Sequence, residues 1–340
     1  MAQSNLTRLL TVAIGTDAAA EVLATLDLEP VLTEEAGETV SRGVFAMAMN
    51  GVLFHDLMRR VPTGAAYVGD RKAAGEKVVF DHGALRTVRF ADGPTGALPG
   101  GIEAFTRIFE PLGYHQAGLY PLDRLKMTGR AYAHLDHPEG VPQFFLSELH
   151  VERFSPEFQT AAGRVFGTSK DPLGVEAVQA LGTFAKDGRA PIDLAEKALP
   201  QIVAAFAVTH EVPALTDYQA LKAESAEAAW IATEGASFNH ATDRVADVEA
   251  TAEGQRQLGR AVKDRIEISG SGRVRQTAFR ADHVDRTFVR EDGREVVLKV
   301  PGSFYEFITR DIDPATGKMD LAFDTSNAQG IFKMTEAASM

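Results

Sequence analysis

The chain has 340 residues, 45% of them hydrophobic, with 35 Lys or Arg against 47 Asp or Glu and a net charge of −12. That composition can bury a core, which excludes a disordered chain, and its acidity argues against nucleic-acid or anionic-membrane binding, which needs clustered basic side chains. There is no cysteine, which excludes disulfides, thiolate-bound metals and a thiol nucleophile.

Residues 1–15 carry one basic side chain and a short apolar run without a small-residue cleavage site, and read as mature chain rather than a leader. No stretch of about 18 apolar residues occurs, so no membrane span is expected and a cytoplasmic protein is the default. Helices are predicted over Thr16–Thr25 and residues 41–60. In the second, Val44, Met47, Ala48, Val52, Phe54, Leu57 and Met58 fall mostly three or four apart. Pro62-Thr63-Gly64 ends it.

The pattern then changes. Residues 77–90, rich in Val and Phe, read as a strand or a bent strand pair. Residues 101–112 return to helix, and 143–151 form a strand after Gly140-Val141-Pro142. Residues 155–234 are mostly Ala-rich helical pattern broken by Pro172, Pro191 and Pro213. Strand character resumes at 236–245, a helix is predicted over 251–266, and Gly270-Ser271-Gly272 reads as a turn. Residues 286–290 and 295–300 flank Asp292-Gly293 and predict a hairpin. Residues 303–310 continue as a strand. We expect one elaborated domain, 1–340, in four parts: helical 1–75, a first sheet module 76–152, a helical insertion 153–234 and a second sheet module 235–340.

Asp81-His82-Gly83-Ala84-Leu85-Arg86 opens the first sheet region and Asn239-His240-Ala241-Thr242-Asp243-Arg244 the second. Both read His-x-x-x-Arg. With the matching order of elements, this suggests two related βαβββ modules sharing one curved sheet, an α+β fold.

Among nine histidines no HExxH motif occurs, nor does the chain contain a GxSxG elbow, a P-loop or a dinucleotide GxGxxG. His134-Leu135-Asp136-His137 reads as a solvated loop, His55 as a core or boundary residue, and His210 and His283 as surface. Glu148 is expected to be structural, paired with an Arg. If 78–86 is extended, His82, Ala84 and Arg86 share one strand face. Glu306 lies mid-strand with Phe304 and Ile308, so its carboxylate must be paired, with an Arg such as Arg310, or must bind metal. Two His and a carboxylate are the ligands of a facial triad, which suits Fe(II), Mn(II) or Zn(II) alike.

Five patches, DHGALRTVRF (81–90), FFLSEL (144–149), SFNHATDRV (237–245), LKVPGSFYEFITR (298–310) and SNAQGIF (326–332), together resemble the 2-oxoadipate dioxygenase/decarboxylase family, also called hydroxyglutarate synthase. The resemblance implies a partly closed barrel similar to the vicinal oxygen chelate fold. It further implies that His82, His240 and Glu306 ligate Fe(II), and that Arg86 grips a substrate carboxylate. Ser326 and Asn327 fall in the stretch that lines the family's pocket; here they stand where a small apolar residue followed by serine is expected. The implied partners are a 2-oxo dicarboxylic acid and O2, with 2-oxoadipate giving 2-hydroxyglutarate and CO2, a step of lysine catabolism. The same site acting on a different 2-oxo acid, or a metal-poor binding protein of the same fold, stands as the alternative.

Overall fold

In the computed structural model, which describes residues 3–323, the N-terminal helices form where apolar side chains recur behind capping residues. Ser4 accepts a hydrogen bond from the Thr7 amide at the start of α1 (Asn5–Ile14), whose Leu6, Leu9 and Leu10 make one buried stripe. α2 (Thr16–Thr25), the single-turn α3 (Pro30–Thr33) and β1 (Thr39–Ser41) follow. Ser41 caps α4 (Arg42–Arg60), which is buried over most of its length, and Pro62 opens α5 (Pro62–Ala73). Gly51 lets α4 lie close to α1 and α2: a Cβ there would stand 3.0 Å from Leu10 and 3.3 Å from Val22.

β2 (Phe80–Arg89), α6 (Glu103–Phe109), β3 (Tyr114–Leu122), β4 (Met127–His134) and β5 (Gln143–His150) make the first βαβββ module. The helical block that follows is α7 (Pro156–Phe166), α8 (Val175–Asp187), β6 (Arg189–Pro191), α9 (Ile192–Val203), α10 (Leu215–Glu224) and α11 (Ala226–Glu234). The second module is β7 (His240–Arg244), α12 (Val248–Gln257), β8 (Glu267–Ile268), β9 (Val274–Ala278), β10 (His283–Val289), β11 (Glu295–Pro301) and β12 (Phe304–Arg310).

The main sheet runs β3-β4-β5-β2-β7-β12-β9-β8. In each half, the first strand lies parallel to the last, β2 to β5 and β7 to β12, and the halves meet through the antiparallel pair β2–β7. The sheet curls into an open half-barrel, so the expected α+β architecture of two βαβββ modules is observed. Two details differ. The hairpin β10–β11 forms where Asp292-Gly293 predicts it, but as a separate two-stranded ribbon inserted before the last strand of the second module. The helix predicted over 251–266 starts earlier and is shorter: the Asp247 carboxylate caps it through the Glu249 and Ala250 amides. Gly259, at φ +79°, turns the chain out of the helix, and Lys263 then pairs with the backbone of Ala278.

One core lies on each face of the sheet. Leu85, Phe144, Leu146, Ala241, Tyr305 and Phe307 belong to the convex core, where α4, α5, α6 and α12 pack on the strands and α1, α8 and α9 pack behind α4. Ala84, Val88, Phe145 and Leu149 meet α7, α10 and α11 on the concave side. The helical block is therefore divided between the two faces, and β1–β6 ties its convex part to the N-terminal helices. A short hairpin, β13 (Ile312–Asp313) with β14 (Lys318–Met319), returns the chain so that Phe323 packs on the concave face.

Candidate metal centre

β2 is buried along nine of its ten residues. A register shift separates Phe80, in the convex core, from His82; beyond it the side chains alternate, with His82, Ala84, Arg86 and Val88 on the concave face and Leu85 on the convex one. Gly83 between them is required: a Cβ there would lie 2.6 Å from the Phe238 ring on the convex side. β7 presents His240 and Thr242 to the same concave face, and β12 presents Phe304 and Glu306. The registers His82↔Thr242, Ala84↔His240 and Thr242↔Glu306 then bring three ligand side chains together. One ligand atom from each of His82, His240 and Glu306 lies within 4.8 Å of the others. His82 Nε2 is 3.8 Å and His240 Nε2 3.3 Å from Glu306 Oε2. All three residues are at most 2% exposed.

Each histidine is held from behind by the residue preceding it. His82 Nδ1 lies 2.8 Å from Asp81 Oδ1 and His240 Nδ1 3.2 Å from Asn239 Oδ1. Both acceptors call for an Nδ1–H tautomer, which leaves both Nε2 lone pairs facing the site. His240 Nε2 makes no hydrogen bond among the described residues. A lone pair facing a carboxylate at 3.3 Å is repulsive unless a proton or a cation lies between them. Burial pushes the Glu306 carboxyl up to about 8, against the pull of Lys263 and Thr242, and burial also lowers both histidines. The trio is thus charge-poor by itself, and its two imidazole nitrogens and one carboxylate suit a divalent transition-metal ion. The Thr242 hydroxyl, 3.1 Å from His82 Nε2 and 3.3 Å from Glu306 Oε2, braces two of the three.

Arg86, four residues along β2, is 2% exposed, and its guanidinium lies 4.9 Å from the centre of the Trp230 ring. Trp230 comes from α11 and is fixed by its indole N–H to the Gly302 carbonyl at 3.0 Å. Burial lowers the Arg86 pKa to about 10, with the Glu227 carboxylate acting the other way. Phe323 closes the site next to His82: ring centres are 4.8 Å apart, and the Phe323 ring also meets Phe145 at 5.2 Å. Ser326 and Asn327 lie outside the described residues.

Of the other sequence candidates, His134 is not in a solvated loop. It ends β4, is fully buried against Tyr114, and its Nδ1 accepts from the Asp136 and His137 amides. Glu148 is structural, as expected, bonded to Arg130, Arg89 and the Ile102 amide. His55 is half-buried and His283 exposed. His210 is half-buried, its ring nitrogens near the Glu211 and Ile231 carbonyls. Arg310 does not pair with Glu306; it turns to Asp81. The sequence reading passed over Asp81, Asn239, Thr242 and Trp230. The repeated carboxylate-or-amide before each histidine was the available signal for the first two. Trp230, the one tryptophan of the chain, gave none.

No helix of the described residues is long and apolar enough to cross a membrane. An open half-barrel of two βαβββ modules, with two histidines and a glutamate converging on its concave face, defines a protein of the glyoxalase or vicinal-oxygen-chelate-like class. Within that class the chain belongs to the 2-oxoadipate dioxygenase/decarboxylase family, whose sequence model matches residues 54–333. It is 24% identical over 293 residues to the rice (Oryza sativa subsp. japonica) chloroplastic/amyloplastic 2-oxoadipate dioxygenase/decarboxylase, covering 78% of this chain and 71% of the relative. It is 51% identical to a solved Ralstonia eutropha JMP134 protein named for the glyoxalase superfamily, with a TM-score of 0.89 over 94% of this chain and 98% of that one. The rice hydroxyglutarate synthase, solved in complex with 2-oxoadipate, shares the fold at a TM-score of 0.68 and 21% identity, over 92% of this chain and 96% of that one.

Proposed function

We propose that the protein is an Fe(II)-dependent dioxygenase that converts 2-oxoadipate and O2 to 2-hydroxyglutarate and CO2, with His82, His240 and Glu306 as iron ligands. The observation that carries this reading is the convergence of two buried, Nδ1-anchored histidines and a buried carboxylate in a chain of a family named for this reaction. The atoms balance: a six-carbon oxo diacid and one O2 give a five-carbon hydroxy diacid and one CO2. When bound, a ferrous ion supplies open positions for a 2-oxo acid and for dioxygen.

The chain's own residues do the rest. Arg86 binds the far carboxylate of the substrate through a forked pair of N–H donors. Its guanidinium is already desolvated, so a carboxylate reaching it meets a charge unscreened by water. Trp230 lies beneath the guanidinium and fixes its plane. Phe145, Phe304 and Phe323 wall the metal position and exclude water from it. The fixed span between the metal position and Arg86 selects a dicarboxylic acid by length. That the rice relative was solved with 2-oxoadipate supports this choice of substrate.

The test is oxygen consumption by Fe(II)-reconstituted protein with and without 2-oxoadipate, beside His240→Ala. Uptake that needs iron, substrate and His240, with one 2-hydroxyglutarate formed per O2, is expected. Iron binding without 2-oxoadipate-dependent uptake would move the assignment to another 2-oxo acid. No iron binding would leave a binding protein of the same fold.

A further inference from the structure

The two histidines face the same position but are backed by different chemistry. Asn239 offers His240 a neutral amide oxygen at 3.2 Å. Asp81 offers His82 a carboxylate oxygen at 2.8 Å. Asp81 is only 4% exposed, a setting that would favour its neutral form. Two arginines oppose this. Arg310 donates from Nε at 3.1 and 3.0 Å and from Nη2 at 2.9 Å, and Arg244 Nε lies 3.1 Å from Asp81 Oδ2. With two guanidinium groups at 2.9 to 3.1 Å, the buried carboxylate is compensated as an anion. An ionised acceptor on Nδ1–H strengthens the hydrogen bond and pushes electron density toward Nε2.

We infer that Asp81 is a positioning residue for the metal centre: its carboxylate accepts the Nδ1 proton of His82, aims the Nε2 lone pair at the metal position and makes His82 the stronger of the two imidazole donors. This rests on the metal reading of the site given above. The competing explanation is that Asp81 serves only to neutralise two buried arginines. Its Oδ1 atom is shared between Arg310 and His82, so geometry links both roles and a binding measurement separates them.

The experiment titrates apo protein with Co(II) in competition with a colorimetric chelator, and records the d–d absorption of the bound ion. Asp81→Asn gives His82 the same kind of partner that His240 has. It is expected to bind Co(II) about 10- to 100-fold more weakly, with a shifted d–d band. If Asp81→Asn does not fold, the double variant Asp81→Asn, Arg310→Gln removes the charge pair together, and the same loss is expected of it. A variant that loses thermal stability but binds Co(II) within twofold of wild type, with an unshifted spectrum, overturns the inference while leaving the metal site standing. Failure of the wild-type protein itself to bind Co(II) removes the metal reading and this inference with it.

Discussion

The two sheet modules follow one plan and end in different chemistry. In the first, β2 carries Asp81, His82, Ala84, Leu85 and Arg86; in the second, β7 carries His240, Thr242, Asp243 and Arg244 after Asn239. The last strands are in equivalent register. His82 pairs with Gln143 and His240 with Phe304, so Phe145 stands in the first module where Glu306 stands in the second. A symmetric molecule would offer four polar ligands. This one offers three and puts an aromatic ring in the fourth place. The arginines diverge too. Arg86 lies buried over Trp230, whereas Arg244 turns to Asp81 and the Glu139 carbonyl. The shared plan thus supplies precise placement, and the departures from symmetry leave one side of the His82–His240–Glu306 trio without a fourth polar group and bury one arginine on the concave face.

Removing a ligand should break the arrangement most completely. Glu306→Gln keeps the shape of the side chain and takes away its charge. Metal content after dialysis should fall to background and turnover should vanish, while the far-ultraviolet circular dichroism stays as in the wild type. Retention of stoichiometric metal would remove Glu306 from the ligand set.

Restoring symmetry is the next largest effect. Phe145→Glu places a carboxylate opposite Glu306. Without metal, the buried charge should lower the melting temperature. With metal bound, the new ligand should restore it and tighten binding. Turnover should disappear, because a position needed by substrate or O2 is filled. Wild-type turnover and unchanged metal affinity would show that this position does not reach the metal.

A smaller change tests the arginine that has no counterpart at the other end of the site. Arg86→Lys keeps the positive charge and loses the fork. With iron content unchanged, kcat/KM for 2-oxoadipate should fall about 100-fold, the scale of one charge-assisted hydrogen bond. Normal turnover by this variant would take carboxylate recognition away from Arg86.

Why some of this could be read from the chain and some could not follows from where each residue sits. The two His-x-x-x-Arg patches carried the modules because the duplicated strands needed the same side chains on the same face. The family patches then pointed to His82, His240 and Glu306, the trio that the fold brings together. β2 itself gave little periodicity: both its faces are buried, so polar alternation is lost. The partner of Glu306 was open between a metal and Arg310, and only the fold shows that Arg310 is committed to Asp81. Trp230 reaches Arg86 across 144 positions of sequence from a helix whose pattern reads as ordinary core. The division of the helical block between two faces is likewise a product of tertiary packing, since Ala-rich helices suit either side.

The smallest expected effect comes from the convex face, where Asp243 of the second module occupies the place of Leu85 in the first. Asp243 is fully buried and accepts from the Tyr67 hydroxyl at 2.6 Å and the Val79 amide at 3.0 Å. Burial raises its carboxyl to about 6, although Tyr67 and Arg71 pull it down. An unfolded Asp titrates near 4, so the folded state holds this proton more tightly. Stability contributed by the protonated form is therefore present at low pH and is lost as pH rises from about 4 to about 6. Above that range this group leaves the fold about 3 kcal/mol less stable than it is below pH 4. Asp243→Asn keeps an acceptor for Val79 and removes the charge, at the expense of the Tyr67 hydrogen bond, itself about 1 kcal/mol. Urea unfolding between pH 4 and 8 should show a flatter pH dependence for the variant and a net gain of about 1 to 2 kcal/mol at pH 7 to 8. Parallel curves for variant and wild type would mean that Asp243 is ionised throughout, held by Arg71 and Tyr67 against its burial, and that the leucine-to-aspartate difference between the modules carries no cost at neutral pH.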